Sequence, residues 1–101
     1  MHDQVIPEIE IIETTETVLE PLYRVIIHND DVTPMDFVVE VLKTIFYLSN
    51  PKSAEIMLAA HFYGTAYVQT LARSEAESRI NKAHTASKEQ GYPLTFTMEP
   101  E

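Results

Sequence analysis

Three short stretches of the chain carry the apolar pattern that is typical of strands. Residues 22–27 are rich in β-branched side chains and stop at 28–31, a cluster of turn-forming residues, which predicts a first strand. Residues 65–71 predict a second strand. In 94–98 apolar and polar residues alternate, so the apolar side chains are expected on one face of a third strand.

Two helices are predicted between the first and second strands. Apolar residues recur at helical spacing over 35–46. They follow Thr33-Pro34, which combines a good N-cap residue with proline at the first helical position. Asn50-Pro51 repeats this pair and predicts a second helix, which continues to about Tyr63 and ends at Gly64.

A third helix is predicted between the second and third strands. Ser74 and Glu77 have the spacing of a capping box, which opens a helix, and Gly91 followed by Pro93 closes it. The predicted order is therefore β-α-α-β-α-β. We expect an α+β fold in which three helices pack against a three-stranded, mostly antiparallel sheet.

Charge is distributed unevenly along the chain. The 101 residues include 16 acidic and seven basic side chains, for a formal net charge of −9. Residues 1–20 hold six of the acids and neither Lys nor Arg. Because such self-repelling segments rarely pack, we expect 1–21 to be a flexible acidic N-terminal extension and 22–101 to be one domain. The alternative is an added edge strand through Val5-Ile6 or Ile9-Ile12.

The composition excludes several classes of function. The chain has no cysteine, which removes disulfides, thiol catalysis and thiolate metal sites. Its apolar runs are much shorter than the roughly 20 residues of a membrane span, and the acidic balance argues against nucleic acid as a partner. No serine lies in a nucleophile elbow and the turns are poor in glycine, so neither a hydrolase nor a phosphate-binding loop is expected.

Two groups of residues could form a binding site. The first group consists of polar residues in the turn after the first strand. The second consists of apolar residues and one histidine that share one face of each of the first two helices. If these helices pack as a hairpin, the result is an apolar concavity with a polar rim. The turn residues are Asn29, Asp30 and Asp31, and the helix residues are Met35, Val38, Met57, Ala60 and His61.

This combination suits a primary ammonium group attached to a bulky apolar side chain. An ammonium has three donors, and Asn, Asp and neutral His supply acceptors, while methionine adapts to several apolar shapes. Each feature also has a purely structural interpretation as turn, cap or core. A metal site formed by Asp30, Asp31 and His61 is conceivable, although no H-x-x-H or similar spacing supports it.

Residues 23–38 closely resemble the opening strand, loop and first helix of the ClpS family, which consists of adaptors that deliver N-degron proteins to AAA+ unfoldases of the ClpA or ClpC kind. The string Asn-Asp-Asp-x-Thr-Pro-Met lies in this segment. The similarity continues through 57–64, 76–79 and 92–94 and covers about residues 22–99 without gaps.

The resemblance implies a role for each candidate site residue and no catalysis or cofactor. Residues matching Asn29, Asp31 and His61 hold the free α-amino group of the substrate, and Asp30 belongs to the same rim. The first side chain is Leu, Phe, Tyr or Trp, and the methionine matching Met35 excludes Val and Ile. The predicted pocket is walled by Ile27, Thr33, Met35, Val38, Met57, Ala60 and Leu94.

The resemblance also implies a partner, with some departures. The family docks on the N-terminal domain of ClpA or ClpC through an acidic and a basic side chain on the third helix, where this chain has Ser74 and Arg79. Ala60 stands where valine is more common. The expected protein is a cytoplasmic monomer, or a plastid stromal one in a plant relative. The alternative is a regulator that docks on the unfoldase and inhibits other substrates without binding N-degrons.

Overall fold

The computed structural model describes residues 20–101, and the predicted α+β class and element order are confirmed. Residues 1–19, which hold most of the predicted extension and its alternative edge strand, lie outside the described residues. None of the helices in residues 20–101 is long and apolar enough to cross a membrane. The elements are β1 (Leu22–His28), α1 (Met35–Thr44), α2 (Asn50–Tyr63), β2 (Thr65–Ala72), α3 (Arg73–Glu89) and β3 (Thr95–Pro100).

The three strands form one antiparallel sheet in the order β2-β1-β3. Residue Ile27 of the central strand lies opposite Ala66 on one side and Phe96 on the other. Side chains alternate along β1, so Val25 and Ile27 are buried while Arg24 is exposed. The buried side of β1 therefore faces the core, and its last inward residue lies where the strand enters the turn at 29–31.

The hydrophobic core lies between this face of the sheet and the helices. Helix α3 contacts all three strands, α2 contacts β2, and α1 packs against α2. Phe46, just after α1, stacks on Phe96 of β3 with ring centroids 4.9 Å apart. The helix hairpin α1–α2 is thus fixed against the same core that carries β1.

The caps of the first two helices differ from the predicted ones by one residue. Pro34 occupies the N-cap position of α1, because the hydroxyl of Thr33 is hydrogen-bonded within the preceding loop. Helix α2 is capped by Ser49, whose Oγ accepts a hydrogen bond from the Lys52 N–H at 3.2 Å. Only α2 therefore has a side-chain cap at its N-terminus, and sequence spacing alone did not identify which residue supplies it.

The capping box predicted for α3 does not form. The helix begins at Arg73, and its cap comes from the residues that precede β1. The carboxylate of Glu20 accepts a hydrogen bond from the Ser74 N–H at 2.6 Å, and the carbonyl of Pro21 accepts one from the Arg73 N–H at 2.9 Å. Hydrogen bonding to Ser74 lowers the pKa of Glu20. Glu20 and Pro21, placed by the sequence in the extension, therefore contact the domain.

His84 on α3 covers part of the outer edge of β3. Its Nε2 accepts a hydrogen bond from the Phe96 N–H at 3.0 Å, a group that faces away from β1. Burial, together with the positive charge of Lys88, lowers the pKa of His84. The imidazole is therefore kept neutral, which is the form that can accept this hydrogen bond.

Stability should fall as the pH is lowered through the range in which His84 gains a proton. The unfolded imidazole titrates near 6.5 and the folded one lower, so the unfolded state binds more protons between these two values. The contribution of His84 is complete above about pH 6.5 and is lost as the pH falls toward the folded pKa. Urea unfolding at about pH 7.5 and about pH 5.5 measures the loss.

His84→Gln is the matched variant, because it keeps a neutral acceptor and removes the titration. We expect the wild type to lose more stability than His84→Gln between the two pH values. An equal loss in both proteins would show that His84 does not titrate in this way.

Candidate functional site

A cavity of about 170 Å³ opens where β1 ends, between the following loop and the α1–α2 hairpin. All eleven residues predicted for amine binding and for the apolar pocket line this one cavity. A further residue, His28, lines it as well. The lining residues are Ile27, His28, Asn29, Asp30, Asp31, Thr33, Met35, Val38, Met57, Ala60, His61 and Leu94.

The end of β1 is tied directly to the end of α2. The Asn29 N–H donates a hydrogen bond to the Gly64 carbonyl at 2.9 Å. Gly64 closes α2 with a φ of 89° while its N–H bonds the Ala60 carbonyl at 2.8 Å. This left-handed conformation favours glycine. Because His61 lies in the last turn of α2, the junction places its imidazole and Asn29 at one cavity mouth.

The carboxylate of Asp30 shapes the loop that follows β1. Its Oδ1 accepts hydrogen bonds from the N–H groups of Val32 (2.8 Å) and Thr33 (2.7 Å), and its Oδ2 accepts one from the Thr33 hydroxyl (2.9 Å). Burial alone would raise the pKa of Asp30, but these hydrogen bonds outweigh it and hold the pKa below its usual value. Three of the roughly four lone-pair sites of the carboxylate are thus occupied.

Asp31 is in a different situation from Asp30, although the two are adjacent. Its side chain is exposed, and no hydrogen bond or ion pair within residues 20–101 engages its carboxylate. Its carboxylate oxygens are therefore available as acceptors at the mouth. We assign the loop conformation to Asp30 and the attraction of a cation to Asp31.

The interior of the cavity is apolar, and its mouth is lined in part by methionine side chains. Four wall residues come from β1, α1, α2 and the segment just before β3, and they are almost completely buried, whereas Met35 is 46% exposed and Met57 is half-buried. Methionine side chains are flexible and polarisable, so they can adjust to apolar groups of different shape. The four buried wall residues are Ile27, Val38, Ala60 and Leu94.

The polar groups at the mouth are suited to an ammonium ion. Asn29, Asp31 and His61 are exposed and provide an amide oxygen, a carboxylate and an imidazole nitrogen as acceptors. In the part of the chain from 20 to 101, no three His, Asp or Glu side chains come together to hold a metal ion. The arrangement therefore fits a primary amine beside a bulky apolar group, and the metal interpretation gains no support from it.

His28 was not predicted as a site residue. Because side chains alternate along β1, the ring of His28 lies on the opposite face of the sheet from Ile27. Its Nε2 is 2.8 Å from the Thr97 hydroxyl. It borders the cavity because it is the last residue of β1. Adjacency to Asn29 was the only sequence signal that could have identified it.

The two residues predicted for docking, Ser74 and Arg79, lie on α3 and do not line the cavity. Ser74 is exposed in the first turn. The guanidinium of Arg79 bonds Glu75 (2.8 Å) and Gln69 (3.0 Å), and lies 4.8 Å from the ring centre of Tyr47. Much of the bonding capacity of Arg79 is therefore used inside the domain.

Comparison with known proteins identifies related chains. A family model described as ATP-dependent Clp protease adaptor protein ClpS matches residues 19–97. The ClpS adapter of Desulforapulum autotrophicum is 46% identical over 81 residues, covering 80% of this chain and 78% of that protein. The ClpS adapter of Vibrio atlanticus is 40% identical over 95 residues, covering 92% and 90% respectively.

A solved structure agrees with these sequence relatives. The structure of Agrobacterium tumefaciens ClpS2 bound to L-phenylalaninamide has a TM-score of 0.78 with this chain. The two chains are 43% identical, and the match covers 81% of this chain and 99% of that one.

Replacing the two adjacent aspartates should have different effects on stability. Asp30→Ala removes the acceptor for two backbone N–H groups and should lower the free energy of unfolding by about 1–2 kcal/mol. Asp31→Ala removes an exposed side chain and should change it by less than about 0.5 kcal/mol. Urea unfolding at neutral pH measures both. Equal losses in the two variants would contradict the assignment of the loop conformation to Asp30.

Proposed function

Because this chain belongs to the ClpS family of ATP-dependent Clp protease adaptor proteins, we propose that its cavity binds the N-terminal residue of proteins destined for degradation. The bulky first side chain enters the cavity, and the free α-amino group is held at the mouth. The adaptor then delivers the bound N-degron protein to a ClpA- or ClpC-type unfoldase. One observation carries this proposal: ammonium acceptors and an apolar pocket for a single side chain lie at the same cavity.

The α-amino group is bound by Asn29, Asp31 and His61. A protonated amine has three donors, which match the amide oxygen, the carboxylate and the imidazole nitrogen of these side chains. L-phenylalaninamide, the ligand of A. tumefaciens ClpS2, likewise joins a free α-amino group to a phenyl side chain. An internal Phe has no such charge, so a small pocket of this type distinguishes a chain end from the rest of a protein.

The pocket favours Leu, Phe, Tyr and Trp as the first residue. Met35 is at the mouth, where its side chain excludes the β-branched Val and Ile. Ala60 is buried in the wall and is smaller than the valine that is more common in the family. The cavity is therefore wider at this point, which shifts the preference toward larger side chains.

Recognition of this kind breaks no covalent bond. The proposed function therefore needs no catalytic group, metal or cofactor. We further propose, from the resemblance to the family, that the protein acts as a monomer in the cytoplasm.

Binding should require both the free amine and the acceptors at the mouth. In calorimetric titration we expect peptides that begin with Phe, Tyr, Trp or Leu to bind with low-micromolar or lower Kd, and acetyl-Phe peptides not to bind. Asp31→Asn and His61→Ala should each weaken binding by roughly tenfold or more, since each loses a hydrogen bond to a charged group. Peptides that begin with Val should bind weakly.

Asp36→Asn is the matched control for Asp31→Asn. Asp36 is also exposed, but it lies in the first turn of α1 and does not line the cavity, so its loss should change Kd by less than about twofold. If the protein binds the unfoldase but binds no peptide with a free N-terminus, it is a docking regulator and the N-degron proposal is wrong.

Docking on the N-terminal domain of the unfoldase is proposed to use the surface around Ser74 and Arg79 at the start of α3. This surface is separate from the cavity, so one molecule can hold a substrate and the unfoldase together. Because Arg79 also bonds Glu75, Gln69 and the Phe46 carbonyl, its contribution to docking has to be distinguished from its contribution to the fold.

Ser74→Arg should weaken binding of the unfoldase N-terminal domain by roughly fivefold or more, because it places a large cation at an exposed docking position. The affinity for Phe peptides should not change. Arg79→Met should in addition lower the free energy of unfolding by about 1–2 kcal/mol, since it removes hydrogen bonds within the domain. Surface plasmon resonance and urea unfolding measure the two effects.

Lys82→Met is the matched control, because it also removes a cation from α3. The ammonium group of Lys82 makes no ion pair within residues 20–101. It should leave both docking and stability unchanged. Normal docking by Ser74→Arg would contradict the proposed surface, and normal stability of Arg79→Met would contradict its structural role.

A further inference from the structure

Helix α2 exposes two large apolar side chains on one face. Leu58 is 45% exposed and Phe62 is 74% exposed. They are four residues apart, which makes them neighbours on the helix surface. We refer to Leu58 and Phe62 as the apolar strip.

The apolar strip is continuous with the mouth of the cavity. Successive residues of a helix are about 100° apart, so Ala60, Met57 and His61 follow one another around α2 from the cavity wall to its mouth. Leu58 and Phe62 come next in the same direction. The rings of His61 and Phe62 are in edge contact, with centroids 5.5 Å apart and an interplanar angle of 71°.

The size of the cavity determines where the rest of a bound chain must lie. About 170 Å³ holds one side chain, and the wall is formed by buried residues such as Ala60 and Leu94. A chain held by its α-amino group therefore leaves through the mouth, and its second residue crosses the rim. On the loop side the mouth carries Asp31, and on the α2 side it is lined by Met57 and His61. Phe62 lies just beyond His61, in contact with its ring.

We propose that Phe62, together with Leu58, binds the second side chain of the substrate and favours an apolar residue at that position. This inference rests on the proposed function, because it needs the first residue to occupy the cavity. Contact with an apolar side chain removes part of the exposed Phe62 ring from water, which stabilises the complex. The adaptor then selects a dipeptide rather than a single residue.

The test uses three ligands that differ in how far they extend from the cavity. L-phenylalaninamide ends at the first residue and cannot reach the apolar strip. Two otherwise identical peptides that begin Phe-Leu and Phe-Ser do reach it. Calorimetric titration of the wild type should give a Kd for the Phe-Leu peptide that is roughly three- to tenfold lower than for the Phe-Ser peptide.

Phe62→Ala should abolish this difference and leave the Kd of L-phenylalaninamide unchanged. Tyr63→Ala is the matched control. Tyr63 is 83% exposed but lies another 100° around α2, beside β2, so its loss should affect none of the three ligands. Both exposed aromatics can be removed without opening the core.

Four outcomes would overturn the proposal. If Phe62→Ala weakens the binding of L-phenylalaninamide as much as the binding of the Phe-Leu peptide, Phe62 acts only by positioning His61. If Phe62→Ala preserves the preference for Phe-Leu, the second side chain lies elsewhere. If sedimentation shows a wild-type dimer that Phe62→Ala dissociates, a second copy covers the apolar strip. If the wild type binds none of the three ligands, the proposed function fails together with this inference.

Discussion

The hydrogen bond between the Asn29 N–H and the Gly64 carbonyl determines where the whole site lies. It joins the end of the central strand to the end of the helix that carries His61. The bond requires α2 to stop at Gly64 with a φ of 89°. A Cβ at this position would meet no atom within 4 Å, so the need for glycine comes from the backbone conformation and not from space. The strand and the helix thereby bring acceptors from two distant parts of the sequence to the mouth of one cavity.

Two adjacent carboxylates after β1 have separate physical roles. The hydrogen bonds of Asp30 to the loop at 32–33 keep it ionised and hold the loop in place. Asp31 is consequently held at the mouth without having to form any hydrogen bond of its own within residues 20–101. Because the loop is ordered before a ligand arrives, little conformational entropy is lost when the amine binds. Met35 is the first residue of α1 and directly follows this loop, so the ordered loop also fixes the position of its backbone at the mouth.

A cavity between the turn and the helix hairpin was predicted from local patterns, namely the turn at 29–31 and the helical spacing of Met57 and His61. Ile27, Thr33 and Leu94 were assigned to its wall only through the resemblance to the ClpS family, because no local pattern indicates that they face this cavity. The helix caps were harder to predict, since Glu20 caps α3 across 54 positions of sequence and spacing carries no information about such a contact. The apolar strip was missed for a related reason: an exposed Phe62 has the same sequence signal as a buried one.

A protein that binds chain ends must avoid binding extended chains along its sheet edges. Unpaired N–H groups of an edge strand attract any extended segment, whatever its sequence. On the outer side of β3 the Phe96 N–H is occupied by His84, and Pro100 has no N–H to offer. Backbone pairing at this edge is thereby reduced. In the proposed function, selection then depends on a free amine, because only a chain end carries that charge beside its first side chain.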